Sequence, residues 1–259
     1  MKKSDVLGTP RNVQEQWRSF VDNLSGTLPR RHTDKRIRHE YKYLINRCDF
    51  ERYRTACART MELDGHAGKD GSYFINSLYL DTPWLKDYYD KDGGALVRKK
   101  MRIRNYGYDL DWANLEMKRK NDIWEYKENV RLTKEQVFRI SGGDFSPLLQ
   151  IGTETAKQFY VILSEGLYRP SCIVEYDRVA FLLPFEEVRI TFDLNVRYSQ
   201  SNFDLFAPKV LTPLFPDGAV VMEIKYNEFL PSWAKRLMGE VRRTTESVSK
   251  YCFSKMSYL

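Results

Sequence analysis

The stretch that decides the fold is VRITFDLNVRY at residues 188–198. Side chains alternate between the two faces of a β-strand, so residues two apart share a face. One face of this stretch is apolar throughout, with Val188, Ile190, Phe192, Leu194, Val196 and Tyr198. The other face carries only hydrogen-bonding side chains, namely Arg189, Thr191, Asp193, Asn195 and Arg197. The segment predicts a long strand with one face on a core and the other on a polar space.

Four more strand-like segments carry charges on a single face. The largest set lies in residues 96–104, which align Arg98, Lys100, Arg102 and Arg104. Three segments place an acid two residues before a base, as Glu40 with Lys42, Glu116 with Lys118 and Glu223 with Lys225. An open sheet with one wet face would explain any single strand. Across five strands it is a poor explanation, because neighbouring cations on an open face repel one another.

A closed sheet explains the pattern better. We predict an α+β fold in which an eight-stranded antiparallel β-barrel forms a tunnel, with a polar, basic interior and helices packed outside. The predicted strands are residues 38–45, 73–80, 95–105, 112–119, 123–131, 171–183, 187–198 and 219–226. The predicted helices are residues 50–62 with Asp49 as N-cap, a short one opened by a Thr133–Gln136 capping box, and residues 154–165, 231–239 and 244–256. We also predict that residues 1–34 form an N-terminal extension with an amphipathic helix, and that residues 35–259 form the tunnel domain.

Composition and motifs exclude several classes of function. The 259 residues carry a net charge of +7, which favours an anionic partner. No P-loop, nucleophile elbow or His-Glu-x-x-His pair is present, and no recognition-helix motif supports nucleic-acid binding. No apolar run reaches the roughly 18 residues that span a bilayer, so we expect no transmembrane segment and a cytoplasmic location. Cations converging in a tunnel predict a polyanionic ligand, and the carboxylates among them are oxygen ligands suited to Mg²⁺ or Mn²⁺.

An ordered series of motifs resembles a known family. The series comprises RHEYKYLI at 38–45, SLYLDT at 77–82, KMRIRNYG at 100–107, LEMKRK at 115–120, EYDRVAF at 175–181, VRITFDLN at 188–195, VVMEIKYN at 220–227 and SVSKY at 247–251. From about residue 37 to 255 the chain resembles the vacuolar transporter chaperone (VTC) domain. That domain is a polyphosphate polymerase module of the triphosphate tunnel metalloenzyme, or CYTH-like, group. The resemblance implies an eight-stranded antiparallel tunnel.

The resemblance also implies residue roles. It implies that the phosphate-binding and catalytic bases are Lys42, Arg102, Arg104, Lys118, Arg178, Arg189 and Lys250. Lys127 matches a looser part of the motif series, and Lys100 and Lys225 join the phosphate-binding set from the polar faces of their strands. Glu223 resembles the principal metal ligand, and Glu40 and Glu116 are its candidate partners by strand parity. Glu175 and Arg178 have opposite parity, so both can face the tunnel only if a β-bulge intervenes.

The expected activity is transfer of the γ-phosphate of ATP to a growing polyphosphate chain, with Mn²⁺ or Mg²⁺ as cofactor. Two alternatives stay open: a metal-dependent hydrolase of inorganic triphosphate or nucleoside triphosphates, and a non-catalytic module that binds polyphosphate and regulates a partner. A tunnel open at both ends favours the polymerase, and a blocked one favours the hydrolase. Some members of the family work beside a membrane protein, which implies that kind of partner and membrane association through it.

Overall fold

The computed structural model describes residues 39–121, 124–183, 187–227, 229–240 and 248–256. The predicted N-terminal helix and the first residues of the helix predicted at 244–256 lie outside these ranges. Among the described residues, no helix is both long and apolar enough to cross a bilayer.

Ten strands of the described residues form one antiparallel sheet. They are β1 (His39–Ile45), β2 (Glu62–Leu63), β3 (Tyr73–Asp81), β4 (Val97–Asn105), β5 (Trp112–Asn121), β6 (Trp124–Thr133), β7 (Arg169–Leu183), β8 (Val188–Ser199), β9 (Thr212–Pro213) and β10 (Val220–Tyr226). The eight long strands follow the order β1-β10-β8-β7-β3-β4-β5-β6, and the two short ones flank β7 and β8. All eight predicted strands are confirmed. The sheet is not closed by backbone hydrogen bonds, because no ladder among the described residues joins β1 to β6.

The described part of the chain contains seven helices beside the sheet. They are α1 (Arg47–Thr60), α2 (Lys86–Asp92), α3 (Lys134–Ser141), α4 (Ser146–Ile151), α5 (Glu154–Glu165), α6 (Ser232–Glu240) and α7 (Lys250–Met256). The capping box of Thr133 and Gln136 opens α3 as predicted. The predicted N-cap of α1, Asp49, is wrong. The N-cap is Asn46, whose side chain accepts a hydrogen bond from the Asp49 backbone N–H. This cap starts the helix three residues earlier than expected.

Two apolar clusters cover the outer face of the sheet, as the alternation predicts. In the first, Met101, Ile103 and Leu115 of β4 and β5 pack on Val137 of α3 and Phe159 of α5. In the second, the apolar residues of β8, β10 and β1 pack under α1 and α6. Each large side chain buried in this way stabilises the fold by roughly 1.5 to 3 kcal/mol. The face turned away from these helices is called the inner face below.

The polar pattern of residues 188–198 does not continue to its end. Asn195 has a left-handed backbone (φ 51°), and the register between β7 and β8 shifts at this point. The shift turns Val196 and Tyr198 toward the inner face, where both join a third apolar cluster, and leaves Arg197 exposed. Strict alternation predicts that Val196 and Tyr198 share the apolar face with Val188, and that Arg197 shares the polar face with Arg189. That prediction is wrong because the bulge inserts one residue and reverses parity.

Helix α7 packs against the inner face at one end of the sheet. Tyr251 and Cys252 belong to the third cluster, together with Tyr79 of β3 and Val174 of β7. The hydroxyl of Tyr251 donates a hydrogen bond to Asp81, whose carboxylate also accepts from the backbone N–H groups that begin α2. The inner face is therefore apolar and filled near α7, and the charged residues occupy the remainder.

Candidate active site: the basic inner face

All ten cations predicted to bind phosphate lie on the inner face or reach it from α7. They are Lys42, Lys100, Arg102, Arg104, Lys118, Lys127, Arg178, Arg189, Lys225 and Lys250. Strand pairing sets acids beside several of them, because Lys42 faces Glu223, Arg102 faces Glu116 and Arg178 faces Asp193. The carboxylates that contact these cations are Glu40, Glu116, Glu125, Asp193 and Glu223 on the strands and Asp64, which lies 2.7 Å from Arg189. Cations therefore outnumber acids, which is the electrostatic preference of an anion site.

Glu40 and Glu223, two of the three predicted metal ligands, form one network on β1 and β10. Lys42 contacts both carboxylates, and Lys225 lies 2.5 Å from Glu223 and 3.7 Å from Glu40. Burial alone would raise the pKa of Glu40, but Lys42, Lys225 and Lys118 outweigh burial and hold the pKa at about 2. Burial opposes ionisation of Glu223 as well, and Lys42 and Lys225 still lower its pKa. Both side chains are thus ionised at neutral pH.

The same network joins the two ends of the strand order. Lys118 of β5 lies 3.5 Å from Glu40 of β1 and 2.6 Å from Glu125 of β6. Side chains therefore connect β1 with β5 and β6, although the described residues of β1 and β6 share no backbone ladder. The contact agrees with the predicted enclosure of a polar space.

Glu116, the third predicted metal ligand, belongs to a separate network. It accepts from Arg102 at 2.6 and 2.7 Å and lies 2.9 Å from Lys127. Burial would raise its pKa, but the charges of Arg102, Arg104 and Lys127 lower it to about 2. In this structure Glu116 is a counterion of Arg102 and Lys127.

Asp193 is an inner-face acid that the motif series does not single out. Arg178 donates two hydrogen bonds to it at 2.6 and 2.9 Å, and Lys250 of α7 donates another at 2.5 Å. Burial would raise the pKa of Asp193, yet Arg178 and Lys250 lower it. Its place on the polar face of residues 188–198 was the available signal. Its two partners come from distant parts of the chain, so their convergence could not be seen.

Glu175 does not share the tunnel with Arg178. The extra residue of the bulge is on β8, so parity along β7 is unbroken and Glu175 stays on the outer face. There it is fully buried, 2.6 Å from Lys209 and within hydrogen-bonding distance of the Tyr108 hydroxyl. Arg178 keeps its inner position.

Several inner-face cations have neutral partners. Arg104 donates to the hydroxyls of Ser77 at 3.2 Å and Tyr176 at 3.3 Å, and Lys100 donates to the hydroxyl of Ser249 at 3.1 Å. Burial lowers the pKa of Lys100 to about 8. Neither Arg104 nor Lys100 is hydrogen-bonded to a carboxylate of the described residues, so an incoming anion gains these contacts without displacing one.

The donor set near Glu223 fits a divalent cation. The hydroxyl oxygen of Thr191 is buried without a hydrogen-bond partner, and Thr191 pairs directly with Glu223 across β8 and β10. Two ionised carboxylates and a hydroxyl are the hard oxygen donors that Mg²⁺ and Mn²⁺ accept. Among the described residues, no group of three acidic, histidine or cysteine side chains forms a complete metal site. Phosphate oxygens and water would have to complete the coordination shell.

Residues 37–258 match the VTC domain family. The chain belongs to that family. Among solved structures, the Hippeastrum protein HpAC1, described as a candidate adenylyl cyclase with a dominant triphosphatase activity, is 11% identical over 86% of this chain and 97% of its own, with a TM-score of 0.52. A candidate adenylate cyclase from Bacillus halodurans is 13% identical over 80% of this chain and 87% of its own, with a TM-score of 0.42. No curated protein sequence matches this VTC domain significantly.

Proposed function

We propose that this VTC domain is a metal-dependent phosphotransferase that transfers the γ-phosphate of ATP to a growing polyphosphate chain. The terminal oxygen of the chain bonds to the γ-phosphorus, the β–γ anhydride bond breaks, and ADP leaves. The excess of cations on the inner face is the observation that carries the proposal. Arg104 and Lys100 are held there by hydroxyl groups rather than carboxylates, so the face is prepared for an anion of high charge. A triphosphate supplies such a charge in an extended shape that can follow the strands.

The residues act by position and charge. Phosphoryl transfer passes through a loose transition state whose charge is spread over phosphate oxygens, so fixed Lys and Arg donors can supply most of the catalysis. Arg102, Arg104 and Arg178 would clamp the chain of phosphates, and each charge-assisted contact contributes roughly 1.5 to 3 kcal/mol. Lys42 and Lys225 keep Glu223 and Glu40 ionised, so that these two carboxylates can hold the metal. Bound there, Mn²⁺ or Mg²⁺ would neutralise charge on the phosphates.

The acceptor distinguishes the candidate functions. The resemblance to polyphosphate polymerase modules, supported by the family match, favours a phosphate chain as acceptor. The packing of α7 on the inner face favours water, and hence a triphosphatase, because a filled end restricts passage of a polymer. A binding module without turnover is the third candidate. The predicted cytoplasmic location and membrane-protein partner stay predictions.

The deciding experiment is incubation of the protein with ATP and Mn²⁺, followed by gel analysis of phosphate length. Long polymer is expected. Orthophosphate alone would reject the polymerase in favour of the hydrolase, and binding without turnover under any metal would establish the regulatory module. Glu223→Ala should abolish metal-dependent turnover. Glu165→Ala removes an exposed carboxylate at the end of α5 and is the matched control, which should leave turnover unchanged.

A further inference from the structure

Four aromatic side chains form a chain of ring contacts at one end of the inner face. The ring centroids of Tyr73 and Tyr106 are 6.4 Å apart, those of Tyr106 and Trp112 are 6.5 Å apart, and those of His66 and Tyr73 are 6.5 Å apart. The Arg131 guanidinium lies 3.8 Å from the centroid of the Trp112 ring. His66, Tyr73, Tyr106 and Trp112 are called the aromatic rim below.

The rim adjoins the arginines that would hold phosphate. Tyr106 lies two residues after Arg104, directly beyond the end of β4 at Asn105, and Tyr73 pairs with Arg178 across β3 and β7. The hydroxyl of Tyr73 also accepts a hydrogen bond from Arg189 at 3.1 Å. Tyr106 follows Arg102 by four positions, which is about 13 Å at about 3.3 Å per residue of extended chain. This length suits a ribose followed by an extended chain of phosphates.

Tyr106 and Trp112 of the rim lie outside the apolar cores, whereas Tyr73 is half-buried at the edge of the third cluster. Tyr106 keeps 39% of its surface exposed, and neither it nor Trp112 packs in any of the three apolar clusters of the described residues. By contrast, Tyr79 and Tyr251, the inner-face aromatics near α7, are at most 5% exposed and packed together. The two ends of the face thus differ, since α7 fills one and the other presents accessible rings beside arginines.

We infer that the aromatic rim stacks the base of a nucleoside triphosphate, with the triphosphate running inward past Arg104 and Arg102. The inference rests on the proposed function, because it assigns the nucleoside end of the same substrate. Aromatic rings and arginine planes are the protein surfaces on which bases stack, and they do so with any base. The rim therefore selects nucleoside triphosphates over inorganic triphosphate, which has no ring to stack, without selecting one base strongly.

The test compares two ligands that differ only in the nucleoside. Calorimetric titration with Mn²⁺ present uses the nonhydrolysable imido analogues of ATP and of tripolyphosphate. Trp112→Ala and Tyr106→Ala should each weaken binding of the ATP analogue roughly 5- to 100-fold, and leave binding of the tripolyphosphate analogue unchanged. Trp112→Phe, which keeps an aromatic ring, should restore most of the affinity. Trp84→Ala, a change at a Trp that is 70% exposed and lies outside the rim, is the matched control.

The outcomes are separable. If both alanine variants bind both analogues with unchanged affinity, the rim does not contact the base, although phosphate binding is intact. Equal loss of both analogues would also overturn the inference, because Trp112 and Tyr106 would then support the phosphate-binding wall rather than contact a base. A wild-type protein that binds neither analogue would overturn the proposed function, and the assignment of the rim with it.

Discussion

Lys100 is an inner-face cation whose charge depends on pH near neutrality. Its ammonium group lies 5.8 Å from the ring centroid of Tyr79 and 5.6 Å from that of Tyr251. Burial lowers its pKa to about 8, and the charges of Arg102 and Lys42 act in the same direction. Only the protonated form attracts phosphate. Lys100 is therefore charged and available below its pKa, and loses its charge as the pH rises through about 8.

We expect triphosphate affinity to fall as the pH rises from about 7 to 9.5. The loss of this one contact should weaken binding by up to roughly 10-fold to 100-fold. Lys100→Arg keeps its charge over this range, so its binding should stay nearly constant, and Lys100→Met should bind weakly at every pH. Calorimetric titration of tripolyphosphate across the pH range is the measurement. A wild-type affinity that does not change with pH would contradict this role for Lys100.

Glu116 offers a test between two roles for one carboxylate. Its contacts with Arg102 and Lys127 make it a counterion, whereas strand parity predicts a metal ligand. As a counterion, Glu116→Gln should destabilise the unliganded protein by about 1 to 3 kcal/mol, because it leaves Arg102 without its partner. The same change should tighten tripolyphosphate binding, since Arg102 is then free for phosphate.

Two measurements separate these roles. Urea denaturation gives the change in the free energy of unfolding, and the Mn²⁺ concentration needed for half-maximal turnover reports on metal binding. Glu116→Gln should leave that concentration unchanged, whereas Glu223→Gln should raise it. An equal rise in both variants would make Glu116 a metal ligand, as the sequence predicts.

At the scale of elements, strand parity predicts the inner and outer faces well. The alternation in β1, β4, β5 and β10 places the selected cations of these four strands on the inner face, since apolar residues two apart have to share a core. Parity fails in β8 after Asn195, because a bulge depends on how β7 and β8 pair, and pairing is not encoded in one strand. The sequence patterns do not predict helices α2 and α4, because the local signals of these helices are weak. Each is seven residues or shorter, and neither has a side-chain hydrogen bond from its N-cap residue.

The bulge gives a prediction about stability. Asn195 adopts a left-handed conformation that Asn and Gly tolerate, and its side chain donates to Asp177 at 2.9 Å. Asn195→Val should lower the free energy of unfolding by about 1 to 2 kcal/mol, because a β-branched side chain is strained there. Asn195→Gly should cost only a few tenths of a kcal/mol. Urea denaturation measures both changes. The control is Arg197→Val, at an exposed residue of the same strand, which should leave the free energy of unfolding unchanged. A similar decrease in that variant would show that the effect at residue 195 comes from strand context rather than from its positive φ.

For the whole molecule, the sequence predicts the eight strands, the basic interior and the family, because all three depend on patterns that repeat along the chain. It does not predict the partition of charges into three networks around Glu223, Glu116 and Asp193. That partition depends on contacts between strands that are distant in sequence, such as Lys118 with Glu40 and Lys250 with Asp193. The convergence of so much positive charge has a cost, since cations held close together repel one another in the empty protein.

Relief of that repulsion should be visible in the stability of the whole domain. A ligand that binds only the folded state stabilises it by about 2.7 kcal/mol at 100 times its Kd, so tripolyphosphate should raise Tm by several degrees. The rise should shrink as KCl is increased, because salt screens the charges. Orthophosphate at matched ionic strength is the control, and it should give a much smaller shift because it cannot span several cations at once. Equal shifts with both anions would mean that the inner face responds to ionic strength alone. Arg102→Met and Arg104→Met should each reduce the Tm shift caused by tripolyphosphate. Arg139→Met on α3 should not, because Arg139 pairs with Asp144 away from the inner face. This difference would locate the effect on the inner face.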